Sequence, residues 1–482
     1  MSQPDLSQLQ STLKRIWGYD IFRPPQGEIV RCLTTGEDAL VVMPTGGGKS
    51  ICFQLPALLQ TGLTLVVSPL VALMENQVEE LREKQLPAAS LHSELPRQQK
   101  RQTLSLLAKN RLRLLYLSPE TLLSKPVWQQ LCQNDLPING IILDEAHCLV
   151  QWGDTFRPAY RRLGAVRATL QQHQSSQQRI SLAAFTATAN PQAQTTIRQV
   201  LQLQQPQKFL LNPYRSNLHL QVQIAWTPRG RKQRLLRHIR QYDGASGLVY
   251  VRTRQDSEDL AAWLSQLGFA TAAYHAGLTP QQRRHLENDW IGGKIQFVVC
   301  TSAFGMGINK PDVRWVVHFH APILLSEYVQ EVGRGGRDGQ PASALTLISE
   351  PTGLLDPEDK QRRQFFTERQ RQQYRLAQQL AKKMPATGDL ETVSQQFRQA
   401  PMALSLLHSS GRLSWKDPFH YQIHGVAGKT ESGQDTAVRQ MQAYLTTRQC
   451  RWQFLLHAFG FPDKARSFRC GHCDNCQKSS QK

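Results

Sequence analysis

Short apolar or β-branched runs alternate with longer amphipathic stretches over the first two thirds of this chain. The first runs lie at residues 39–43, 63–67, 113–117, 140–143 and 181–185. Runs that are apolar throughout are typical of strands buried on both faces, and the stretches between them are long enough for crossover helices. The pattern therefore predicts βαβ units and a parallel sheet.

The alternation pauses in a polar stretch, starts again at residue 247 and ends near residue 349. This indicates an α/β fold with two tandem parallel-sheet domains and a mostly helical C-terminal region. The predicted divisions are a first domain (1–210), a linker (211–219), a second domain (220–349), a basic helical segment (350–437) and a helical module (438–482).

The chain of 482 residues is strongly basic, with 57 Lys and Arg against 37 Asp and Glu and a formal net charge of +20. Such an excess favours a polyanionic partner, and nucleic acid is the default candidate. Residues 351–482 carry +9 over 132 residues, against +11 over the 350 residues before them. The last third is therefore the candidate for an additional nucleic-acid surface.

Apolar content and cysteine usage exclude two classes of protein. No apolar run approaches the ~20 residues that a membrane-spanning helix needs, and residues 1–10 lack the features of a signal peptide. Of the nine cysteines, five are scattered singly, which does not suit a disulfide scaffold and suits a reducing compartment. We expect a soluble, cytoplasmic protein, associated with the nucleoid if it is bacterial.

A glycine-rich segment follows the first predicted strand and precedes a helical stretch, which is the context of a phosphate-binding loop. Its backbone N–H groups and the helix N-terminus would hold phosphate oxygens, the lysine would reach the β- and γ-phosphates, and the serine would bind Mg²⁺. Met43 stands where the standard pattern has its first glycine, so the loop is a variant. The candidate nucleotide-binding residues are Thr45, Gly46, Gly47, Gly48, Lys49 and Ser50.

Two adjacent acids, Asp144 and Glu145, follow the apolar run 140–143. Taken alone, such a pair is often only a solvated strand end. Together with the phosphate loop, it predicts that Asp144 holds Mg²⁺ through water and that Glu145 orients and deprotonates the attacking water. We expect the loop and the acids to lie at the ends of neighbouring strands, where the first domain binds and hydrolyses a nucleoside triphosphate.

Arg334 and Arg337 lie within the glycine-rich segment 330–338 of the second domain. Their spacing places them on one side of a predicted helix. Presented across an interdomain cleft, they would stabilise charge on the transferred phosphoryl group, as an arginine finger does. From this segment alone, a pair of surface arginines on a turn is the alternative.

These motifs occur in the order found in superfamily 2 helicases, and several details resemble the RecQ family of DNA helicases. The resemblance covers residues 10–350 nearly continuously and returns at 438–476. It implies two RecA-like domains and a zinc-binding C-terminal region. The segments that carry it are 17–26, 45–50, 144–147, 151–158, 185–189, 300–312 and 330–338.

The resemblance also implies roles for individual residues. Gln26 and Arg23 would hydrogen-bond the adenine edge with Tyr19 stacking on the ring, and Asp312 would lie near the ribose and the cleft. Arg337 would be the finger, with Arg334 beside the γ-phosphate. The residues that would link DNA contact to hydrolysis are Trp152, Phe156 and Arg157, and aromatic rings do stack on unpaired bases of any identity.

Four cysteines in the last 33 residues, Cys450, Cys470, Cys473 and Cys476, provide the ligands of a closed tetrahedral Zn²⁺ site. His472 could replace one of them in principle, and a redox role for the Cys-x-x-Cys spacing is the alternative. We expect a structural zinc module that lies outside the two sheet domains.

Residues 388–425 are where the family resemblance ends. Two short helices at 390–397 and 400–407 and a hairpin at 413–423 would follow the order of a winged helix. Family members usually have such a domain after the zinc module, and the sequence continues for six residues after Cys476, so we expect a short form of the family. The charge density after residue 350 and the order of elements place the winged-helix-like unit ahead of the zinc module. An unrelated helical spacer is the alternative.

In the winged-helix interpretation the unit would hold duplex DNA near the fork. Trp415 and Phe419 flank a predicted turn, where an exposed ring could stack on the terminal base pair. Arg412 and Lys416 would then contact phosphates.

The sequence thus predicts an ATP-dependent DNA helicase that uses ATP, Mg²⁺ and Zn²⁺ and acts on single-stranded and forked duplex DNA. The resemblance implies 3′→5′ movement and a role in recombination and repair. Two alternatives remain open at this point: an RNA-directed superfamily 2 helicase, and an ATP-regulated DNA-binding or strand-annealing protein.

Overall fold

A computed structural model of the chain describes residues 6–44, 46–174, 179–304, 308–424 and 433–480. The chain divides into two compact units, each built from two separate stretches of sequence. Unit 1 comprises Met1–Leu211 and Gln370–Thr430, and unit 2 comprises Asn212–Arg369 and Glu431–Lys482. Among the described residues, none of the helices has the length and apolar content needed to cross a membrane.

Unit 1 is organised around a seven-stranded parallel sheet with the strand order β3-β4-β2-β5-β6-β1-β7. Its strands are β1 (Ala39–Val42), β2 (Leu63–Val67), β3 (Ala88–Leu91), β4 (Leu114–Leu117), β5 (Ile138–Leu143), β6 (Ser181–Thr186) and β7 (Gln207–Leu210). The helices are α1 (Leu6–Trp17), α2 (Gln26–Thr34), α3 (Lys49–Leu59), α4 (Val71–Glu83), α5 (Arg97–Ala108), α6 (Pro119–Leu122), α7 (Lys125–Leu131), α8 (His147–Gln151), α9 (Val166–His173) and α10 (Pro191–Val200), with a 3₁₀ helix at Pro158–Ala165.

The inner strands of this sheet are buried along their whole length, as β1, β5 and β6 illustrate. Helices cover both faces of such a sheet, which is why the strands are apolar throughout and do not alternate. On one face, Phe53 of α3 meets Phe185 of β6 edge to face, with ring centroids 5.2 Å apart. The edge strand β7 is largely exposed, and its weaker apolar pattern gives no strand signal in the sequence.

A buried carboxylate ties β1 to the surrounding chain. The Asp38 side chain has no exposed surface and accepts hydrogen bonds from Arg167 at 2.6 and 2.8 Å. Its oxygens also accept backbone N–H groups from Leu182, at 3.0 Å, and Gln204, at 2.7 Å. Burial of a carboxylate is costly unless it is paired and hydrogen-bonded, and these donors meet both conditions.

Unit 2 contains a six-stranded parallel sheet with the order β10-β11-β9-β12-β13-β8. Its strands are β8 (Leu218–Ala225), β9 (Gly247–Tyr250), β10 (Thr271–Tyr274), β11 (Phe297–Cys300), β12 (Trp315–His318) and β13 (Ala342–Ser349). Its first helices are α11 (Pro228–Gln241), α12 (Arg254–Gln266), α13 (Pro280–Ile291) and α14 (Leu325–Val332). Strand β8 begins at Leu218, inside the predicted linker 211–219. It is a half-buried edge strand without a continuous apolar run, so the apolar pattern did not indicate it.

The division between the units falls within helix α15 (Glu358–Ala381), and the predicted segment 350–437 is therefore shared between them. Residues 384–424, which we call the hairpin module, follow α15 and belong to unit 1. The module contains β14 (Thr387–Asp389), α16 (Leu390–Gln396), α17 (Ala400–Ser409), β15 (Leu413–Trp415) and β16 (His420–Ile423). Its strands form an antiparallel sheet in the order β14-β16-β15.

The aromatic side chains of the hairpin are not free to stack on DNA. Trp415 is only 9% exposed and packs in the core of the module. Phe419 is half-buried, and its ring meets Trp128 of α7 edge to face at 5.3 Å. The expectation of an exposed aromatic beside this turn is wrong, because the rings fill the contact between the module and the rest of unit 1.

The C-terminal helices α18 (Gly433–Thr446), α19 (Arg451–Ala458), α20 (Pro462–Ala465) and α21 (Asp474–Ser480) belong to unit 2. Trp452 donates its indole N–H to the Leu218 carbonyl at 3.1 Å, and Tyr444 donates to the Tyr328 hydroxyl of α14 at 2.7 Å. Asp474 accepts the N–H of Val222 in β8 at 3.2 Å. These helices share a core with the second sheet and cover its edge strand.

We expect Asp38→Ala to destabilise unit 1 by about 3–5 kcal/mol, because it leaves the buried Arg167 guanidinium without its partner. The measurement is the urea midpoint of unfolding. Asp20→Ala is the matched control, because the Asp20 ion pair with Lys14 is exposed and its loss is expected to change the midpoint little. Equal midpoints for the two variants would contradict the role assigned to Asp38.

Candidate active site and metal centre

The connection between β1 and α3 has the geometry of a phosphate-binding loop. Gly46 and Gly48 have φ values of 82° and 74°, in the left-handed region that favours glycine. Gly48 is the N-cap of α3. The first N–H groups of that helix, beginning with Lys49 and Ser50, have no partner within the helix and point from its N-terminus towards the loop. Thr45 lies outside the described residues.

Gln26 supports this loop from behind. Its amide nitrogen donates to the carbonyls of Gly47, at 3.1 Å, and Gly48, at 3.3 Å, and its amide oxygen accepts the N–H of Arg23 at 2.9 Å. A Cβ atom at position 48 would lie 2.3 Å from the Gln26 amide nitrogen. The side chain of Gln26 is thus buried on the loop, whereas Tyr19 and Arg23 are exposed. The predicted contacts of Gln26, Arg23 and Tyr19 with adenine remain predictions.

The acids lie where β5 ends, close to the lysine of the loop. Lys49 Nζ is 3.7 Å from Glu145 Oε1, and both side chains are largely buried. Asp144 donates its backbone N–H to the Val67 carbonyl at 2.9 Å, and its side chain accepts the N–H of Glu145 at 3.0 Å. Glu145 itself has a φ of 50°, so its backbone turns sharply at this point.

The carboxylates of Asp144 and Glu145 are buried next to each other, with Lys49 close by. Burial, followed by the charge of Glu145, raises the pKa of Asp144 to about 6, although Lys49 opposes the shift. A divalent cation between such groups would relieve their repulsion. The donor set of Ser50 and Asp144, a hydroxyl and a carboxylate, provides the hard oxygen ligands that Mg²⁺ prefers.

A third strand contributes to the same edge of the sheet. Strand β6 lies between β1 and β5, so the expectation that the loop and the acids occupy neighbouring strands is wrong. Its last residue, Thr186, has its hydroxyl 3.2 Å from His147 Nδ1, which is also 3.2 Å from Glu145 Oε2. Thr186 also accepts the N–H of Thr188 at 3.2 Å. His147, Thr186 and Thr188 lie in the family motifs 144–147 and 185–189, but their residue types alone indicate no role for them.

Residues 152–157, which we call the aromatic loop, follow α8 directly. The rings of Trp152 and Phe156 meet edge to face at 5.7 Å, and Phe156 is 74% exposed. The N–H groups of Phe156 and Arg157 both donate to the Trp152 carbonyl, at 3.0 and 2.8 Å. The loop is therefore a compact turn that presents one aromatic ring to solvent.

Two ion pairs fix the loop to unit 1. Arg157 binds both oxygens of Glu120, at 3.0 and 2.9 Å, and also donates to the Pro69 carbonyl. Asp154 accepts from Arg161 of the 3₁₀ helix at 2.8 and 2.6 Å, and both side chains are buried. The guanidinium of Arg157 is thus engaged within unit 1, where it holds the loop in place.

In unit 2, α14 ends at Val332, and Arg334 and Arg337 lie in the turn after it. The expectation that they share a helix is wrong, because Gly336 takes a φ of 58° and the chain leaves the helical path. Arg334 is 7% exposed and lies beside the Tyr250 hydroxyl. Arg337 is half-buried and donates to the Ile308 carbonyl at 2.9 Å and to Asn309 Oδ1 at 3.1 Å.

A buried acid on α14 organises the residues around this turn. Glu331 binds Arg252 at 2.9 and 3.2 Å and lies 2.9 Å from His318 Nε2. Burial alone would raise the pKa of Glu331, but Arg252 and His318 lower it to about 2. By contrast, Asp312 is exposed and pairs with Lys310 at 3.3 Å.

The four C-terminal cysteines come together as the sequence predicts. Their sulfur atoms all lie within 4.8 Å of one another, with 3.9 Å between Cys470 and Cys476 and 4.0 Å between Cys450 and Cys473. A tetrahedral site with Zn–S bonds of about 2.3 Å requires S···S separations of about 3.8 Å, so the set fits Zn²⁺. His472 instead packs against Tyr214.

Hydrogen bonds prepare the sulfur atoms for a cation. Cys450 Sγ accepts the N–H of Cys470 at 3.3 Å, and Cys473 Sγ accepts the N–H of Arg451 at 3.5 Å. These backbone donors stabilise the thiolate forms of the two sulfur atoms. A metal ligand has to be the thiolate, so this stabilisation favours metal binding.

Two parallel sheets, one with a phosphate loop and paired acids and the other with an arginine turn, define an ATP-driven helicase core. Residues 23–196 match the DEAD/DEAH box helicase family, 230–339 the helicase conserved C-terminal domain, and 419–477 the RecQ zinc-binding family. The fold is similar to that of S. cerevisiae Dbp5 bound to RNA and ADP BeF3, with a TM-score of 0.57 and 16% identity over 71% of this chain and 87% of that one.

Closer relatives identify the family. The chain is 53% identical over 475 residues to an ATP-dependent DNA helicase RecQ of Synechocystis sp., with 98% of each chain covered. It is 39% identical to the RecQ helicase of Haemophilus influenzae over 341 residues, which are 71% of this chain and 53% of that relative, so it spans about half the length of the latter. The chain belongs to the RecQ family of ATP-dependent DNA helicases, which confirms the family and fold predicted from its motifs.

The cysteine geometry predicts one zinc ion per purified chain by metal analysis. Cys473→Ser should reduce zinc content and lower the melting temperature, because zinc binding contributes folding energy to a module that shares a core with β8 and α14. Cys132→Ser is the matched control, since this half-buried cysteine lies on unit 1. A well-folded wild-type protein without zinc would rule the site out.

Proposed function

We propose that this ATP-dependent DNA helicase moves 3′→5′ along single-stranded DNA and separates forked duplexes, and that it acts in recombination and repair. The observation that carries the nucleotide chemistry is the meeting of Lys49, Glu145 and Thr186 at one edge of a buried sheet. The direction and the pathway rest on the family resemblance.

The phosphate loop binds the triphosphate through its backbone. The N–H groups from Gly46 to Lys49 surround the phosphate oxygens, while Lys49 Nζ neutralises the β- and γ-phosphates. Ser50 and Asp144 would hold Mg²⁺, which when bound neutralises charge that develops on the phosphoryl oxygens. Gln26 keeps the loop open by fixing two of its carbonyls from the opposite side.

Glu145 is the group that orients the attacking water and accepts its proton. Its carboxylate lies between Lys49 and His147, so both of its oxygens have a fixed direction. In this proposal Arg337 and Arg334 stabilise the transferred phosphoryl group. The hydrogen bonds from Arg337 to Ile308 and Asn309 support a defined position for its guanidinium within unit 2.

The aromatic loop links DNA contact to hydrolysis. Phe156 offers an exposed ring on which an unpaired base can stack, and the loop starts one residue after α8, the helix that follows Glu145. The net charge of +20 favours attraction to the phosphate backbone. ATP hydrolysis measured with single-stranded DNA, duplex DNA and RNA tests the polymer, and stimulation by RNA alone would favour the RNA-directed alternative.

We expect Lys49→Ala to abolish ATP hydrolysis and unwinding, because the variant loses the cation that binds the phosphates. Glu145→Gln should still bind ATP but turn it over about 10²–10⁴-fold more slowly, since an amide cannot take the proton. The measurements are ATP binding and steady-state hydrolysis with DNA present. Substantial DNA-stimulated turnover in either variant would contradict the assignment.

Phe156→Ala should remove most of the stimulation of ATP hydrolysis by single-stranded DNA, since one base–aromatic stack contributes about 1–3 kcal/mol. The measurement is the ratio of the rates with and without DNA. Phe156→Tyr, which keeps a ring, is the conservative control and should retain the stimulation. Unchanged stimulation in Phe156→Ala would mean that the ring is not the contact with DNA.

A further inference from the structure

The hairpin module packs against the 3₁₀ helix that follows the aromatic loop. Ser405 of α17 is fully buried, and its hydroxyl donates to the carbonyl of Pro158, the first residue of the 3₁₀ helix, at 3.2 Å. Arg162 donates to the Pro418 carbonyl in the hairpin turn at 3.2 Å. Ala165, at the other end of the 3₁₀ helix, lies in the core of the module. The module therefore contacts this helix along its length.

The ion pair that holds the aromatic loop involves the same 3₁₀ helix. Arg161 of the 3₁₀ helix binds Asp154 of the loop, as described above. Helix α17 packs directly against the 3₁₀ helix that carries Arg161. The pair therefore connects the aromatic loop to the helix on which the module packs.

The 3₁₀ helix also packs against two helices that follow the catalytic segments of unit 1. It contacts α8, which follows the acids, and α10, which follows Thr188. The fit against α10 is tight, because a Cβ atom at Gly164 would lie 1.9 Å from the Val200 carbonyl oxygen. A displacement of the 3₁₀ helix would therefore change the positions of α8 and α10 as well as that of the module.

Helix α17 is built for this contact. Its sequence, Ala-Pro-Met-Ala-Leu-Ser-Leu-Leu-His-Ser, contains no lysine or arginine, and six of its ten residues are buried. In helix-turn-helix proteins the second helix of the pair reads the major groove, and α17 has that place after α16. Here the equivalent helix is a packing element that faces the 3₁₀ helix.

We propose that the hairpin module is a positioning element for DNA-stimulated ATP hydrolysis. Through Ser405 and the Asp154–Arg161 pair, α17 holds the aromatic loop in the place from which contact with DNA reaches the acids after β5. This inference rests on the proposed role of the aromatic loop and adds to it residues about 250 positions away along the chain.

The experiment compares full-length variants at the contact with one at its edge. Ser405→Leu forces extra volume between α17 and Pro158, and Arg162→Ala removes the hydrogen bond to the hairpin turn. Lys125→Ala is the matched control, because it breaks an exposed ion pair with Glu391 at 2.7 Å that touches the module but not the 3₁₀ helix. If Ser405→Leu does not fold, Ser405→Ala with Arg162→Ala replaces it.

Three quantities are measured for each variant: the rate of ATP hydrolysis without DNA, its stimulation by single-stranded DNA, and the melting temperature. We expect stimulation to fall about 3- to 30-fold in the contact variants, with the DNA-free rate close to wild type, because mutations in a packed network change coupling by this amount. Lys125→Ala should behave as wild type. Stimulation equal to wild type in both contact variants would overturn the inference.

Phe156→Ala, measured in the same series, separates the two proposals. Loss of stimulation in Phe156→Ala together with full stimulation in the contact variants would leave the role of the loop intact and overturn the role of the module. Full stimulation in Phe156→Ala would overturn the role of the loop, and the role of the module with it. Loss in both sets, with Lys125→Ala unaffected, is the result that the inference requires.

Discussion

Parallel strands deliver their following loops to one edge of the sheet, and unit 1 depends on this constraint. Strands β1, β6 and β5 lie side by side, so the chain segments that follow them meet although they are far apart in sequence. Lys49, Thr186 and Glu145 are the residues brought together in this way. The middle strand, β6, ends at Thr186, whose hydroxyl contacts His147 beside Glu145 and also accepts the N–H of Thr188.

Residues with no predicted role in the chemistry bind the side chains of the functional groups and fix their positions. His147 holds one oxygen of Glu145, and Glu120 holds Arg157 at the end of the aromatic loop. The Asp154–Arg161 pair is a charged hydrogen bond in a buried place, where geometry is fixed more firmly than by exposed pairs. The exposed ring of Phe156 can therefore be presented by a loop whose backbone is well anchored.

Local motifs were predictable from the sequence because their chemistry lies in adjacent residues. The phosphate loop, the paired acids and the four cysteines each need a short, defined spacing, and the structure has them where that spacing indicates. Strand order was not predictable in the same way, because it depends on contacts between distant segments. The place of β6 between β1 and β5 is the clearest example.

The packing of the C-terminal helices against the second sheet was also not predictable from the sequence pattern. A half-buried edge strand such as β8 has no continuous apolar run, so nothing indicated that α19 and α21 would cover it. Likewise, the aromatic residues at the hairpin turn suit a nucleic-acid contact and a packed core equally well by composition. Only the position of Trp128 opposite Phe419 decides between them.

The hairpin module shows how a familiar order of elements can serve a different purpose. A helix that binds DNA needs cations near the phosphates, because counterion release supplies most of the affinity. In α17 the titratable side chain is His408, and burial, followed by the charge of Arg161, lowers its pKa to about 4, so it is neutral near pH 7. A neutral, buried helix can transmit force through packing but has little attraction for phosphate. Its chemistry therefore favours a role in holding the 3₁₀ helix over one in reading DNA.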